Sequence, residues 1–390
     1  MINSLKRITF NTKLGVDSET LAVIAYCIFV TSLILNATQF KYISVWGITN
    51  TIFKSFAIIF LALSFLLLKK LKLIVIILAI VVSIVFLQTN YLNAPFFISA
   101  FFFAGMHLYS NRLLKGYVVT TSAVVLFTLL MYFSGIYQYD TLEEGFRFRL
   151  YMGFTYVTFL ANFFFHIILA WVAIKQRNIT ISETAVILVL NQLIMNWTDT
   201  KAVYYEIILL LAILWIFRFG KCIFKGKIFK WFMILNMPFF AMLSIFLSAT
   251  YNPANGLYAW LNRLFTSRFS LGYEAIKIYG FNLFGNRISW VTGRYGIDRV
   301  ENYFFVDSSY LQIALLYGLI VLCLVVIGFV YLSKKAFVEK KYMLCIALAF
   351  LSLHSFSDPQ LLDLAYDPFL LIMGAAILRT GKLPGPREAL

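Results

Sequence analysis

The residues with the clearest chemical potential are arginines that gather between positions 250 and 306. Five of the six basic residues there are arginine, namely Arg263, Arg268, Arg287, Arg294 and Arg299, and the sixth is Lys277. A guanidinium group binds two phosphate or carboxylate oxygens at once, so this stretch suits a pyrophosphate. The alternative is that the arginines pair with the three carboxylates of the stretch and fold it.

Two further residues could move a proton close to these arginines. Asp307 comes directly after the arginine-rich stretch and precedes an apolar run, where a carboxylate either caps a helix or accepts a proton from a hydroxyl. His354 lies near the end of a later apolar run, where a histidine is either a plain interfacial residue or a general base. The sequence leaves both alternatives open for each residue.

Other charged residues lie within or beside apolar runs. Glu206 and Asp367 fall inside predicted membrane spans, where a charge is costly and by default indicates a functional site. Arg147 and Arg149 come after two glutamates at 143–144, so these arginines either pair with those carboxylates or join the anion site.

No motif for a metal or a nucleotide accompanies these residues. The four cysteines include no CxxC pair, and two of the three histidines, His107 and His166, are interpreted as packing residues. Walker, GxGxxG, GxSxG and HExxH patterns do not occur in the sequence. We therefore expect neither a cofactor nor a metal site.

The composition indicates that a lipid bilayer positions these side chains. Apolar residues make up 62% of the 390 positions, charged residues make up 13%, and the mean hydropathy is +0.85. A soluble domain carries about 25% charged residues. The chain is therefore predicted to be an all-α polytopic membrane protein with about twelve transmembrane helices. The apolar runs that could span a bilayer lie at 20–38, 48–68, 71–88, 94–109, 116–136, 152–174, 183–198, 202–217, 231–249, 307–332, 342–356 and 364–379.

The division of basic residues predicts the orientation of these spans. Most basic residues of the short loops fall on one side of a twelve-span arrangement, and that side includes both termini. Cytoplasmic loops carry such an excess of lysine and arginine, so both termini are expected in the cytoplasm of a bacterium, with the chain in its inner membrane. The net charge of +16 is thereby explained without nucleic acid.

Four regions result from this arrangement. Residues 1–249 hold spans one to nine, residues 250–306 form a long extracytoplasmic loop, residues 307–380 hold spans ten to twelve, and residues 381–390 form a disordered tail. Inside the long loop, residues 253–279 have helical spacing and predict one amphipathic helix in the membrane interface. The run at 183–217 is either one re-entrant hairpin or two helices.

Several segments resemble the O-antigen and capsular polysaccharide polymerases, the Wzy family, within a wider group that includes the O-antigen ligases. Thr266–Arg268 with Tyr279–Gly285 after it is similar to an "sgR … fG" pattern of that family. Val306–Leu311 with Gly318 resembles its "hDN-x-YL … G" pattern, although Ser308 stands where the family has asparagine.

Two weaker segments extend the resemblance over residues 149–318. Asn196–Lys201 resembles a "T-x-SR" turn, with lysine where arginine is usual. Arg149 with Gly153-Phe154 is similar to an "R … GF" pattern, but the "PN" that usually comes next is missing. The order of the four segments around one long loop is the most specific part of the resemblance.

The resemblance implies a GT-C-like membrane glycosyltransferase that joins lipid-linked repeat units. Its donor and acceptor would be oligosaccharides on undecaprenyl pyrophosphate at the outer face of the membrane, and a chain-length regulator and a flippase would be further partners. The charged residues described above supply a compatible site, in which we expect Arg268, Asp307 and His354 to be catalytic. The expected pyrophosphate-binding residues are Arg263, Arg287, Arg294, Arg299, Arg147 and Arg149. Loop aromatics would stack on sugars.

Two other functions compete with this one. A flippase or other transporter for lipid-linked oligosaccharides also has about twelve spans and intramembrane charges, although transporters keep their loops short. An O-antigen-type ligase performs the same chemistry with a different acceptor.

Overall fold

The computed structural model describes residues 18–66, 80–81, 83–85, 111–138, 140–144, 147–175, 179–219, 226–292, 302–378 and 383. Arg294, Arg299 and His107 lie outside the described residues. So do most of the predicted third and fourth spans, at 71–88 and 94–109, and most of the tail at 381–390.

The described elements fall into a first group before the long loop and a second group that begins within it. The first group is α1 (Ser18–Asn36), a 3-10 helix (Gln39–Tyr42), α2 (Trp46–Leu66), α3 (Asn111–Phe133), β1 (Thr141–Glu144), β2 (Arg147–Leu150), α4 (Phe159–Lys175), α5 (Ile181–Thr198), α6 (Lys201–Phe219) and α7 (Lys227–Ala249). The second group is α8 (Gly256–Leu264), α9 (Arg268–Tyr279), α10 (Ser309–Gln312), a π-helical turn (Ile313–Tyr317), α11 (Leu319–Val338), α12 (Tyr342–His354) and α13 (Phe369–Leu378).

The chain is a helical membrane protein. Within the described residues, six helices are long and apolar enough to cross a bilayer, and they lie at Ser18–Asn36, Trp46–Ser64, Asn111–Phe133, Lys201–Phe219, Lys227–Ala249 and Leu319–Val338. Two shorter apolar helices, α4 and α12, accompany them. The all-α prediction missed one feature, an antiparallel hairpin in which Thr141 of β1 faces Leu150 of β2.

Helices α4 and α12 form the centre of the bundle. Almost every residue of α12 is buried, and most residues of α4 are buried as well. A helix that is apolar all round belongs in a core, whereas α2 exposes large apolar side chains as a lipid-facing helix does. The two central helices pack against each other and are flanked by α3, α6 and α7. Polar side chains on α4 and α12 are therefore enclosed by protein.

The run at 183–217 folds as two helices, which settles the alternative left open by the sequence. Helix α5 begins with a capping box, in which Thr180 and Glu183 satisfy each other's backbone amides. It ends at Asp199, whose φ of 46° places it in the left-handed region. Helix α6 then runs back from Lys201, so the predicted interruption is a tight helix–helix turn.

The prediction of one amphipathic helix over 253–279 is wrong. The segment forms α8 and α9, which are separated by a sharp turn at Thr266 and Ser267 with φ values of 48° and 64°. The side chain of Asn262 fixes this turn, because its Oδ1 accepts hydrogen bonds from the amides of Phe269 (3.1 Å) and Ser270 (3.0 Å). It thereby satisfies amides in the first turn of α9.

The predicted tenth span, 307–332, is also interrupted. The short helix α10 passes into the π-helical turn, and the long helix α11 begins only after Gly318. Gly285 of the long loop lies against this break: a Cβ on Gly285 would stand 2.1 Å from the Leu316 oxygen, and one on Gly318 would stand 2.2 Å from the Leu283 oxygen. Such close backbone contact requires glycine at both positions, and it fixes the loop to the bundle.

The predicted twelfth span, 364–379, begins with a non-helical stretch, and its helix starts only at Phe369. After α12 the chain turns back into the bundle as residues 355–368, and only Phe369–Leu378 is helical. The hydroxyl of Tyr26 donates to the Leu364 oxygen (3.0 Å), and that of Tyr117 donates to the Tyr366 oxygen (3.0 Å). Irregular backbone at this depth is stable where protein encloses it, as these bonds do here. We call residues 355–368 the re-entrant segment.

Candidate functional site

The first pair of the candidate site joins the long loop to the bundle. Arg268, the first residue of α9, lies with its Nε 3.5 Å from Oδ2 of Asp307. About a quarter of each side chain is exposed, at 24% and 28%. Burial raises the pKa of Asp307, and the Arg268 guanidinium opposes that rise. The helix-cap alternative for Asp307 is wrong, because the N-cap residue of α10 is Ser308.

The second pair lies between two helices of the bundle. His354 closes α12, and its Nδ1 lies 2.8 Å from Oε2 of Glu206 on α6. The two side chains are only 3% and 12% exposed. His354 is therefore enclosed by the bundle and not exposed at its surface.

Asp358 in the re-entrant segment stands between these two pairs. Its Oδ2 accepts a hydrogen bond of 2.9 Å from Nδ2 of Asn162 on α4. Burial raises the pKa of Asp358 to about 6; His354 and Arg268 act to lower it and Asp307 acts to raise it. The Ser309 hydroxyl holds the backbone around Asp358. It donates to the backbone carbonyl oxygen of Asp358 (2.6 Å) and accepts from the backbone amide of Leu361 (3.1 Å).

A cavity of about 680 Å³ opens beside these groups. Asp307 and Asp358 both line it, and Lys41 from the 3-10 helix contributes a cation. The remaining lining is mostly aromatic and hydroxylic: Tyr42, Thr155, Tyr156, Thr158, Phe159, Thr292, Tyr303, Phe305, Pro359 and Gln360. The cavity therefore presents two carboxylates, one ammonium group and several aromatic faces to whatever enters it.

Two of the described arginines that were predicted to bind pyrophosphate have structural partners away from the cavity. Arg147 donates through Nε to the carboxylate of Asp199 and through Nη2 to the backbone carbonyl oxygen of Asp199 (2.8 Å). Arg149 is buried, and its Nε donates to the Thr198 oxygen (2.8 Å), so both arginines hold the turn between α5 and α6.

The other predicted arginines lie on the long loop. Arg263 near the end of α8 and Arg287 after α9 are both exposed. Arg268 contacts a carboxylate of the cavity, that of Asp307.

The two acidic residues predicted inside membrane spans, Glu206 and Asp367, have different surroundings in the structure. Glu206 contributes directly to the candidate site through His354. Asp367 lies in the re-entrant segment, where its Oδ1 accepts from the Phe369 amide (2.7 Å) at the start of α13. His166 was interpreted from the sequence as a packing residue. Its ring centroid lies 5.3 Å from that of His354, so it stands beside the His354–Glu206 pair.

Sequence reasoning missed Asp358 and Asn162. A signal was present, since Asp358 lies four residues after His354 and precedes a proline at the end of an apolar run. Asn162 occupies an apolar run in which it is the only amide side chain, and polar residues inside spans usually face the protein.

No protein-family model matches the chain, and no curated protein or solved structure is significantly similar to it.

Proposed function

We propose that this chain is a membrane glycosyltransferase of the polysaccharide polymerase kind. It transfers a growing glycan from undecaprenyl pyrophosphate to a hydroxyl of a lipid-linked repeat unit at the outer face of a bacterial inner membrane. The observation that carries this proposal is the cavity that Asp307 and Asp358 line, with Arg268 paired to Asp307 at its border.

The cavity has the size and chemistry that suit a sugar. Its volume falls within the range of about 300–1,000 Å³ that small-molecule sites occupy. Aromatic rings offer apolar faces to a sugar, and carboxylates and hydroxyls accept hydrogen bonds from its hydroxyl groups. Two carboxylates disfavour a pyrophosphate in the middle of the cavity, so we place the acceptor sugar there and the pyrophosphate at the border.

The chemical step needs a base for the acceptor and cations for the leaving group. The acceptor hydroxyl gives its proton to a carboxylate while its oxygen attacks the anomeric carbon of the donor. The bond from that carbon to the pyrophosphate oxygen breaks, and the pyrophosphate leaves with the electron pair. Arg268 and Lys41 stabilise its charge. Exposed Arg263 and Arg287 attract the anionic donor from outside.

The wider architecture belongs to the same proposal. The apolar runs support about twelve spans, the family resemblance supports a GT-C-like arrangement, and the charge pattern supports cytoplasmic termini. The candidate site then opens on the extracytoplasmic side, because the long loop and the cavity lie at the same end of the bundle.

The first experiment uses purified protein in detergent with a lipid-linked repeat unit. A ladder of lengthening lipid-linked glycans supports the polymerase. The Arg268→Ala variant should insert normally yet lose lengthening by about 100-fold, because it lacks the charge that stabilises the leaving group. Lys277→Ala on the same helix is the control and should leave the ladder intact. Long glycans made by Arg268→Ala would refute the role of this arginine.

The second candidate function is transport of lipid-linked oligosaccharides. The buried His354–Glu206 pair between α12 and α6 favours it, since paired charges inside a bundle are typical of proton-coupled transporters. Cells that lack the protein separate the two functions. Lipid-linked units that accumulate on the inner face indicate a flippase, whereas single units on the outer face indicate the polymerase. An intact lipid-linked polymer that is never transferred to its final acceptor indicates a ligase.

A further inference from the structure

Helix α4 and the end of α12 face each other through two polar layers. In the layer next to the cavity, Asn162 donates to Asp358. One turn deeper, His166 stands against His354. Asn162 and His166 are four residues apart and share one face of α4, so the layers lie about 6 Å apart along that helix.

These layers contain buried polar atoms that the protein leaves without a well-formed hydrogen bond. Within the described residues they are Oδ1 of Asp358, Oδ1 of Asn162, Oε1 of Gln360, Nε2 of His354 and both ring nitrogens of His166. Asn162, His166, His354 and Gln360 are each at least nine-tenths buried. Buried polar atoms nearly always have partners, and a cluster of them is where a protein holds internal water.

The composition of the cluster favours water over a metal ion. Its atoms are mainly amide and carboxylate oxygens and imidazole nitrogens spread over two layers. No three histidine, cysteine or acidic side chains within the described residues are placed to hold one ion. Gln360 lines the cavity and also lies beside both imidazole rings, so it connects the outer layer to the inner one.

Glu206 determines which nitrogen of His354 is available to this water. Nδ1 lies 2.8 Å from its carboxylate. An ionised Glu206 accepts a hydrogen bond from Nδ1–H, and a neutral ring then has Nε2 as its acceptor inside the cluster. The Phe165 ring lies tilted against the His354 ring, with 4.5 Å between the ring centroids, and limits its rotation. These contacts favour one orientation of His354, with Nε2 towards the polar layers.

We propose that Asp358 takes the proton of the acceptor hydroxyl and passes it, through water held in the two layers, to His354, which Glu206 positions and whose imidazolium Glu206 stabilises. The assignment rests on the proposed function. It adds Asp358 as a catalytic residue and Glu206 as a positioning residue.

Each proton in this relay can be followed from donor to acceptor. As the acceptor oxygen forms its bond to the anomeric carbon, its proton moves to the Asp358 carboxylate, which becomes neutral. Asp358 gives a proton to the water, and the water gives one to Nε2 of His354. The imidazolium then faces the Glu206 carboxylate. The proton returns to solvent or to the departed pyrophosphate before the next turnover.

A first test needs no substrate. The three histidines can be labelled with ¹⁵N and assigned by removing His107 and His166 one at a time. We expect His354 to carry its proton on Nδ1, and Glu206→Leu to abolish that preference. Asp358→Asn should displace the Nε2 resonance of His354, whereas Glu274→Gln on the exposed face of α9 should not. An Nε2 resonance indifferent to Asp358 would refute the relay, whatever the protein catalyses.

A second test measures turnover with a lipid-linked repeat unit as the probe. Glu206→Gln keeps the shape of the side chain and removes its charge, so we expect kcat to fall about 100-fold with KM nearly unchanged. Glu206→Asp should restore part of the rate. A raised KM with unchanged kcat would overturn the positioning role. If the wild-type protein forms no ladder, the proposed function fails and the histidine spectra alone decide the relay.

The pH dependence of kcat should also change in the Glu206→Gln variant. The groups that face Asp358 are Asp307, Arg268, His354 and Tyr366, and those that face His354 are Glu206, His166 and Asp358. Removing the Glu206 charge should shift the pH profile of kcat, which a purely structural contact would not do. An unshifted profile in Glu206→Gln would count against the relay.

Discussion

At the scale of single residues, Asp358 combines a buried carboxylate oxygen with access to a cavity. Burial raises its pKa to about 6, because water reaches its Oδ1 poorly and ionisation is thereby disfavoured. Asn162, His354 and Arg268 favour the ionised form and limit the rise. A carboxylate tuned in this way still ionises near neutral pH and holds a proton more readily than an exposed one, as a general base should.

The raised pKa of Asp358 has a consequence for stability that does not depend on any proposed activity. The folded state holds the Asp358 proton at pH values where the unfolded state has released it. This residue's stabilising contribution is therefore present below the ordinary aspartate pKa and is lost as the pH rises through about 6. Asp358→Asn does not titrate, and its side-chain oxygen can still accept from Asn162.

We expect the thermal midpoint of the wild-type protein in detergent to fall, relative to Asp358→Asn, as the pH rises from about 4 to about 7. Glu143→Gln, on the exposed part of β1, should give a curve parallel to that of the wild type. Parallel curves for wild type and Asp358→Asn would show that burial does not perturb this carboxyl group.

The sequence predicted individual residues of the site better than their partners. Arg268 stood out as one of several arginines in the long loop, and Asp307 and His354 stood out as titratable residues at the ends of apolar runs. The pairing of His354 with Glu206 depends on which face of α6 turns towards α12, and helix rotation is decided by packing over the whole bundle. Arg147 and Arg149 show the reverse: their residue type suits an anion, yet their position beside the α5–α6 turn gives them structural partners.

At the scale of elements, the turn between α8 and α9 positions Arg268. Ser267 occupies the N-cap position of α9 with a φ of 64° and makes no capping hydrogen bond. Asn262 supplies that function from the preceding helix, and its Nδ2 also donates to the Ser270 hydroxyl (3.2 Å). One side chain therefore fixes the angle between the two helices of the loop.

We expect Asn262→Ala to destabilise the protein by about 1–2 kcal/mol and to reduce glycan lengthening strongly, because the start of α9 loses its cap and Arg268 moves. Asn255→Ala is the matched control: it removes the N-cap of α8, where Oδ1 accepts from the Leu257 amide at 2.9 Å, far along the chain from Arg268. Both variants should lower the melting temperature, and Asn262→Ala alone should reduce lengthening. Equal activity in the two would exclude a positioning role for the turn.

Element types were predictable from apolar run length, whereas the breaks within runs were not. The α8–α9 turn contains neither glycine nor proline, so its left-handed residues carried no signal. The twelfth run is apolar enough for a span, but Tyr26 and Tyr117 from distant helices bind the backbone of the re-entrant segment and replace helical hydrogen bonds. Such long-range bonds are absent from any local pattern.

At the scale of the whole molecule, the buried centre of α4 and α12 explains how a polar site survives inside an apolar chain. Outer helices such as α2 expose large apolar side chains, whereas most residues of the central pair are buried in protein. The composition predicted the membrane class correctly for this reason. It could not predict which helices are central, because both kinds are equally apolar.

The orientation of the bundle can be tested by labelling. In a chain whose four cysteines are replaced by alanine, Asn255→Cys in the long loop should react with a membrane-impermeant maleimide in cells with a permeable outer envelope. Lys334→Cys, near the end of α11, should react only after the inner membrane is opened. Both positions are exposed in the fold. The opposite pattern would invert the topology and place the cavity in the cytoplasm.

One backbone contact in the long loop bears on how such a protein could diversify. Val291 and Phe304 exchange two hydrogen bonds, of 3.0 and 2.9 Å, which close the stretch between them at its base. Thr292 and Tyr303, the residues just inside this closure, line the cavity. Because these two backbone bonds fix where Thr292 and Tyr303 stand, exchanging either side chain reshapes the cavity wall without moving the strand-like backbone that carries it. Evolution or an engineer could use this pair of positions to change what the cavity accepts.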